Sequence, residues 1–289
     1  MKLGLVGQKD NPRARSLVEA VRMELDDIDI VVDDVTAEAL ADDRQETYGG
    51  VATPELDAPE RIPVADMAGC DIVVSIGGDG TFLHAARGAA GTPIMGVNLG
   101  EVGFLNAVSP NDAIETIQNV VADLRDDGET PTRKLPRLEA SGEDWTLPAA
   151  LNEIVVQGPQ RGHGNGIGVT IRADDALYTS GHADGVLIAT PTGSTAYNLS
   201  EGGPLVHPNV PVWVVTEMAA ERPMPPLVVE DDTTITIRIE DATSASVVSD
   251  GRTTQEVDPP TQITLEQAEQ PVHVAGPALE FFTALGKLE

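Results

Sequence analysis

Cysteine is almost missing from this chain. Cys70 is the only one in 289 residues, which excludes an intrachain disulfide and leaves a cysteine-based metal site nothing to build on. Aromatic residues are scarce too, at 3%, so the core must be made from Val, Ile, Leu and Ala. No apolar run approaches the ~20 residues of a membrane span, and the opening "MKLGLVGQKD" lacks the length and pattern of a secretory signal. The expected compartment is the cytoplasm, without a membrane partner. Positive charge is the deepest deficit: 18 Lys and Arg face 47 Asp and Glu, a formal net charge of −29. Such a chain repels nucleic acid and, in dilute salt, itself. Molar salt shortens the Debye length to ~3 Å and quiets that repulsion. The acids are spread along the whole chain, so the charge points to a salt-loving source.

What is present has two rhythms. "KLGLVG", "IDIVVDD", "CDIVVSIGG" and "TPIMGVN" read as strands, the last two apolar enough to be buried on both faces. Helical spacing runs from Ser16 to Leu25 and again after Gly80. Strands alternating with helices imply a parallel sheet. Ala37 to Asp66 is acidic, proline-bearing and aperiodic, and is expected as an irregular surface excursion. From about Pro131 the segments shorten: "LEASG", "ALNEIVVQG", "IGVTIRA", "GVLIAT", "VPVWVV", "TTITIRIED", "SASVVSDG" and "TQITLEQ". Alternation such as Ile235, Ile237 and Ile239 against Thr234, Thr236 and Arg238 marks strands with one wet face. The expected organisation is an α/β domain over 1–128, a β-sandwich-like domain over 129–274, and a terminal helix over 275–289 that returns to the first domain.

Two stretches carry chemistry. "GGDGT" follows a buried strand and opens a helix, the place where open α/β sheets bind ligands. Its glycines admit a ligand to the main chain, and helix N-termini offer N–H groups to phosphate. Asp79 would there be either a reacting group or a helix cap. The spacing is not the G-x-G-x-x-G dinucleotide fingerprint. "HADGVLIATPTGSTAYNLSEGGPLV" is denser: four hydroxyls within six residues suit phosphate or ribose oxygens, and Tyr197 can stack on a base. The alternative for "TGST" is a turn that caps the next helix. "NEIVVQG" puts an amide and a carboxylate, Asn152 and Glu153, at a strand start. "RGHGNGIG" is followed by a strand and not a helix, so it reads as a hairpin turn. No histidine pair has metal-ligand spacing.

Together, "GGDGT", "NLGEVGFL", "NE", "DGVLIATPTGSTAY", "GGP" and "SDG" resemble, in order, the NAD kinase (ATP-NAD kinase) family. The likeness spans nearly the whole chain, and with the charge it implies a halophilic archaeal source. It implies an N-terminal Rossmann-like α/β domain, a C-terminal β-sandwich-like domain and a dinucleotide bound between them. By this resemblance Asp79 is the catalytic acid–base residue, with Gly80 lining the same site. Asn152 and Glu153 match the NAD-contacting pair, and Asp184 a ligand-binding aspartate. Thr195, Ala196, Tyr197, Asn198, Leu199 and Ser200 fall in the segment around the dinucleotide, partly from a neighbouring subunit of a homo-oligomer, dimer or tetramer. Phe104 would lie near the adenine ribose. His84, His163, His182 and Arg252 match positions where relatives contact ligand with varied residue types.

The reaction so implied moves the γ-phosphoryl group of ATP, or a phosphoryl group of polyphosphate, to the 2′-hydroxyl of the adenosine ribose of NAD. A carboxylate can take the hydroxyl proton as attack proceeds. Mg²⁺ or another divalent cation would neutralise the phosphates. Two other readings share features with it. A lipid or sugar kinase would account for "GGDGT" alone, and a non-catalytic dinucleotide sensor would keep the binding residues but dispense with Asp79.

Overall fold

The first strand, Lys2–Gly7 (β1), is buried along nearly its whole length, and its neighbours are apolar for the same reason. In the computed structural model, which describes residues 1–41, 57–100, 103–160, 162 and 166–286, the chain divides into two units. One comprises Met1–Lys134 with Val272–Glu289, the other Leu135–Pro271.

In the first unit, β1 is followed by helix α1 (Pro12–Glu24). The Asn11 side chain accepts the Arg13 N–H at 3.0 Å and Pro12 opens the helix, a favourable start on both counts. Ala14, Val18 and Val21 form its buried stripe. Then come β2 (Asp29–Val32), α2 (Asp34–Ala41), β3 (Glu60–Arg61), β4 (Ile72–Gly77), α3 (Asp79–Ala89), β5 (Ile94–Asn98), α4 (Ala113–Asp126) and β6 (Thr132–Leu135). The sheet runs β3-β2-β1-β4-β5, then Val272–Ala275, then β6. The pairs β1–β2, β1–β4, β2–β3 and β4–β5 are parallel. Strand order therefore reverses between β1 and β4, which opens a crevice at the carboxyl ends of those strands. Leu3, Leu5, Val74, Ile76, Val97 and Ile117 belong to the core that fixes this sheet against its helices. Part of the stretch expected to be irregular is ordered: α2, β3 and a 3₁₀ segment, Val64–Gly69, fall within or against it. Residues 42–56 of it lie outside the described residues.

The second unit is two antiparallel sheets. Its strands are β7 (Leu138–Ser141), β8 (Glu153–Gln157), β9 (Ile167–Ala173), β10 (Ala176–Ala183), β11 (Gly185–Ala189), β12 (Val212–Met218), β13 (Leu227–Glu230), β14 (Ile235–Glu240), β15 (Ala245–Ser249), β16 (Thr253–Val257) and β17 (Thr261–Gln267). One sheet has the order β10-β9-β14-β17-β7, the other β13-β12-β11-β8-β15-β16. Inward residues of both, among them Ile171, Ile237, Ile263, Val156, Val186 and the fully buried Trp213, share one core. That is the expected sandwich. The six-stranded sheet is covered on its other face as well, by Val206 and Tyr197 over Val155, Leu187 and Val214. Strand β11 can be apolar at every position, and β8 between its polar ends Glu153 and Gln157, because both of their faces are covered.

One reading is corrected here. "RGHGNGIG" does not close a hairpin: β8 and β9 lie in different sheets, and β8 pairs with β11 and β15 instead. Residues 161 and 163–165 of the segment lie outside the described residues. Gly158 and Gly166 approach so closely that a Cβ on Gly158 would stand 3.0 Å from the Gly166 backbone.

Candidate functional site

Gly78 caps α3 with extended backbone and no side chain, so Asp79 is the first residue of that helix and not its cap. Its carboxylate turns away from the helix toward the returning loop after β5. Oδ2 accepts the Phe104 N–H at 3.0 Å, and Oδ1 accepts the Leu105 N–H at 3.1 Å and the Asn106 amide at 3.2 Å. Asn106 is fully buried. The loop is held in turn by β5, where Asn98 N–H reaches the Val108 carbonyl at 2.9 Å and Val108 N–H reaches Gly96 at 3.2 Å. A carboxylate offers about four acceptor positions. Among the described residues three are used, which leaves one on Oδ2 for a further donor.

The glycines of "GGDGT" have different tasks. A Cβ on Gly77 would meet the Thr81 hydroxyl at 2.5 Å and Gln8 at 2.8 Å, so Gly77 is required by packing. Beside Gly78 and Gly80 no atom of the described residues lies within 4 Å of such a Cβ, which leaves room for another molecule at the helix start. Phe104, half-buried, sets its ring 6.1 Å from that of Phe281 in the terminal helix Phe281–Leu285. His84, on the same helix as Asp79, has Nε2 3.7 Å from Oδ2 of the buried Asp33. Burial pushes the Asp33 carboxyl upward, but hydrogen bonds from His84 and Thr36 outweigh it and hold it below its usual range.

In the second unit, Asn152 and Glu153 stand where β8 begins. Glu153 is 7% exposed, and its Oε2 has no hydrogen-bond partner among the described residues. Burial and the nearby Asp250 charge raise its carboxyl to about 7, against the backbone N–H of Tyr197, which favours the anion. Asp250 itself accepts the N–H groups of Leu151, Asn152 and Glu153 at 3.0, 2.8 and 3.2 Å. The motif "SDG" pointed to this segment without giving Asp250 a role. Three N–H groups meeting on a residue almost 100 positions away leave no local signal.

The hydroxyl run proves to be largely structural. Thr190 Oγ1 donates to the Leu151 carbonyl at 2.6 Å and accepts the Gly193 N–H at 3.1 Å. Ser194 Oγ donates to Val206 and accepts from it, at 3.1 and 3.0 Å. Thr195 bonds the Thr192 carbonyl at 3.3 Å. Only the Thr192 hydroxyl of the four is buried without a partner among the described residues. The 3₁₀ segment Thr192–Thr195 and the helical turn Tyr197–Ser200 then present Ala196, Tyr197, Leu199 and the exposed Ser200. Asn198 is fully buried, donating to Ser194 and Pro204 carbonyls at 3.4 and 3.1 Å and accepting from Thr216 at 2.9 Å.

Asp184 receives the Gly162 N–H on both carboxylate oxygens, at 3.0 and 2.9 Å. His182 sits on the exposed β10, and its carbonyl accepts the Glu221 N–H at 3.0 Å. Arg252 is exposed in the turn after β15, and His163 lies outside the described residues. The structure thus gathers Asp79, Gly80 and Phe104 in one unit, and Asn152, Glu153 and Tyr197 in the other.

The two halves of the chain each match a known domain family. A family model for the ATP-NAD kinase N-terminal domain matches residues 3–124, and one for the ATP-NAD kinase C-terminal domain matches 151–276. Over the whole of both chains, the sequence is 54% identical to the NAD kinase of Haloarcula marismortui and 50% identical to that of Natronomonas pharaonis. Both sources are halophilic archaea, as the charge balance led one to expect. Yeast NADH kinase complexed with NADH shares the fold at TM-score 0.83 and 23% identity, covering 100% of this chain and 87% of that one. An Archaeoglobus fulgidus NAD kinase in complex with ATP gives TM-score 0.73 and 27% identity, covering 100% and 98%. A lipid or sugar kinase sharing only "GGDGT" leaves the C-terminal match without explanation. With both halves matched at these extents, the chain belongs to the NAD kinase family, and its activity is that of an NAD kinase.

Proposed function

We propose that Asp79 is the general base that takes the proton of the adenosine 2′-hydroxyl of NAD as the γ-phosphoryl group of ATP is transferred, giving NADP and ADP. The observation that carries this is the state of its carboxylate. Three donors hold it in one orientation, and among the described residues one acceptor position on Oδ2 stays open and the helix start beside it is bare at Gly78 and Gly80. A base fixed in this way loses little orientational freedom when the hydroxyl arrives.

The remaining assignments follow the same reading. Asn152, Glu153, Asp184 and the segment Thr195, Ala196, Tyr197 and Ser200 bind the dinucleotide, while Asn198 and Leu199 shape that segment. Phe104 stands by the adenine ribose, and His84, His163, His182 and Arg252 supply polar or cationic contacts. ATP as donor is supported by the nucleotide in the Archaeoglobus relative. Among the described residues no group of three or more His, Cys, Asp or Glu could hold a metal ion. The divalent cation is therefore taken to enter with the triphosphate, as part of the substrate. The enzyme is proposed to work in the cytoplasm as a homo-oligomer, dimer or tetramer, which light scattering in molar KCl would read directly.

The test is Asp79→Asn assayed with NAD⁺, ATP and Mg²⁺ in high KCl. NAD binding should persist while turnover falls by about two to three orders of magnitude. Near-normal turnover would remove Asp79 from the chemistry.

A further inference from the structure

We infer that Asp250 is a positioning residue for dinucleotide recognition, holding the Leu151–Asn152–Glu153 backbone in the one shape that presents the Asn152 amide and the Glu153 carboxyl. The inference rests on the reading of Asn152 and Glu153 as the NAD-contacting pair and adds a residue that does not itself need to touch NAD.

In a strand, successive N–H groups alternate between opposite sides. Here three in a row, from Leu151, Asn152 and Glu153, converge on the Asp250 carboxylate at 3.0, 2.8 and 3.2 Å. Successive amides that point inward form a concavity for an anion, and Asp250 supplies that anion permanently. The clamp is reciprocal, because the Asp250 N–H donates to the Glu153 carbonyl at 3.0 Å.

The Asn152 backbone is held from its other side as well. Its carbonyl accepts the Thr190 N–H at 2.9 Å, and a Cβ on Gly193 would stand 2.0 Å from that oxygen. Yet the buried Glu153 Oε2 has no hydrogen-bond partner among the described residues. Fixed main chain beneath a buried carboxyl with one open oxygen is the arrangement expected of a preorganised recognition pair. The same aspartate shapes the turn that leads to Arg252. Asp250 and Gly251 have φ of 45° and 62°, and the Arg252 N–H closes the turn on the Ser249 carbonyl at 3.0 Å.

An asparagine at this position keeps one oxygen and turns an amide N–H toward a backbone N–H. Asp250→Asn should therefore raise the KM for NAD by about tenfold while the KM for ATP stays within about twofold. Asp250→Glu, which keeps the charge, should recover part of the loss. Asn152→Ala should also raise the KM for NAD. The double variant Asp250→Asn with Asn152→Ala should fall short of the product of the two single effects, because Asp250 acts in part through Asn152 and in part through Glu153. A purely structural aspartate would lower the melting temperature and the active fraction with both KM values unchanged, or would give additive effects in the cycle. Either result overturns the proposal. Should Asp250→Asn not accumulate as folded protein, Asp250→Glu takes its place in the cycle, and additivity there is equally fatal. If instead Asn152→Ala leaves NAD binding intact, the reading of the pair itself is wrong, and the positioning role falls with it.

Discussion

Gly103 lies directly against Asp79: a Cβ on Gly103 would stand 2.2 Å from the Asp79 Oδ1 and 2.9 Å from its Cγ. The loop that supplies the N–H groups of Phe104 and Leu105 can reach the carboxylate only because this residue has no side chain. Gly103→Ala is expected to force either the loop or the carboxylate aside. Displacements of that kind cost roughly 1–3 kcal/mol in stability and on the order of 100-fold in rate when a reacting group is moved. Paired kcat measurements and thermal melts check it: a large loss of kcat beside a modest loss of melting temperature is the expected pattern.

Glu153 makes stability fall with pH. Its carboxyl titrates at 4.5 when unperturbed and at about 7 in the fold. Between those values the folded chain binds the proton that the unfolded chain has released. The contribution is full below about pH 4.5 and is lost as pH rises through about 7, a difference on the order of 3 kcal/mol. Glu153→Gln should remove that slope. Denaturant unfolding of both proteins at pH 5 and pH 8 should show the variant gaining on the wild type at the higher pH, while its affinity for NAD falls.

Asn198 is a tie and not a free contact. Its amide spans the Ser194 and Pro204 carbonyls and the Thr216 hydroxyl from a fully buried position. Asn198→Ala should destabilise the protein by about 2–4 kcal/mol, since it leaves three buried groups unsatisfied. A melting temperature unchanged from wild type would show that solvent or repacking replaces those bonds.

The net charge of −29 sets the solution conditions. Self-repulsion is screened as the Debye length shrinks from ~10 Å at 0.1 M to ~3 Å at 1 M salt. Melting temperature should rise steeply with KCl across that range. Indifference to salt would mean that the acids are compensated locally, beyond the surface pairs such as Arg61 with Asp34 and Arg125 with Asp27.

The legibility of this protein in its sequence follows the range of the forces involved. β1, β4 and β5 were readable because strands covered on both faces must be apolar throughout. The polar, exposed strand β10 was not, since "ALYTSGHA" carries no hydrophobic pattern and is held by pairing with β9. "RGHGNGIG" was read as a hairpin because a strand, and not a helix, follows it. Partner choice, which sends β8 to one sheet and β9 to the other, is a long-range property.

The sequence by itself determined the composition of the two units, the family motifs and the acidic character, because residue type and short spacing encode burial, turn chemistry and charge. Only the tertiary structure decided what Asp79 is bonded to, that most hydroxyls of "TPTGST" serve the backbone, and that Asp250 grips the chain at Asn152. The bonds of Asp79 and Asp250 join residues 25 to almost 100 positions apart within 3.2 Å. Hydrogen bonds act only at contact, so the chain must fold before they can be seen.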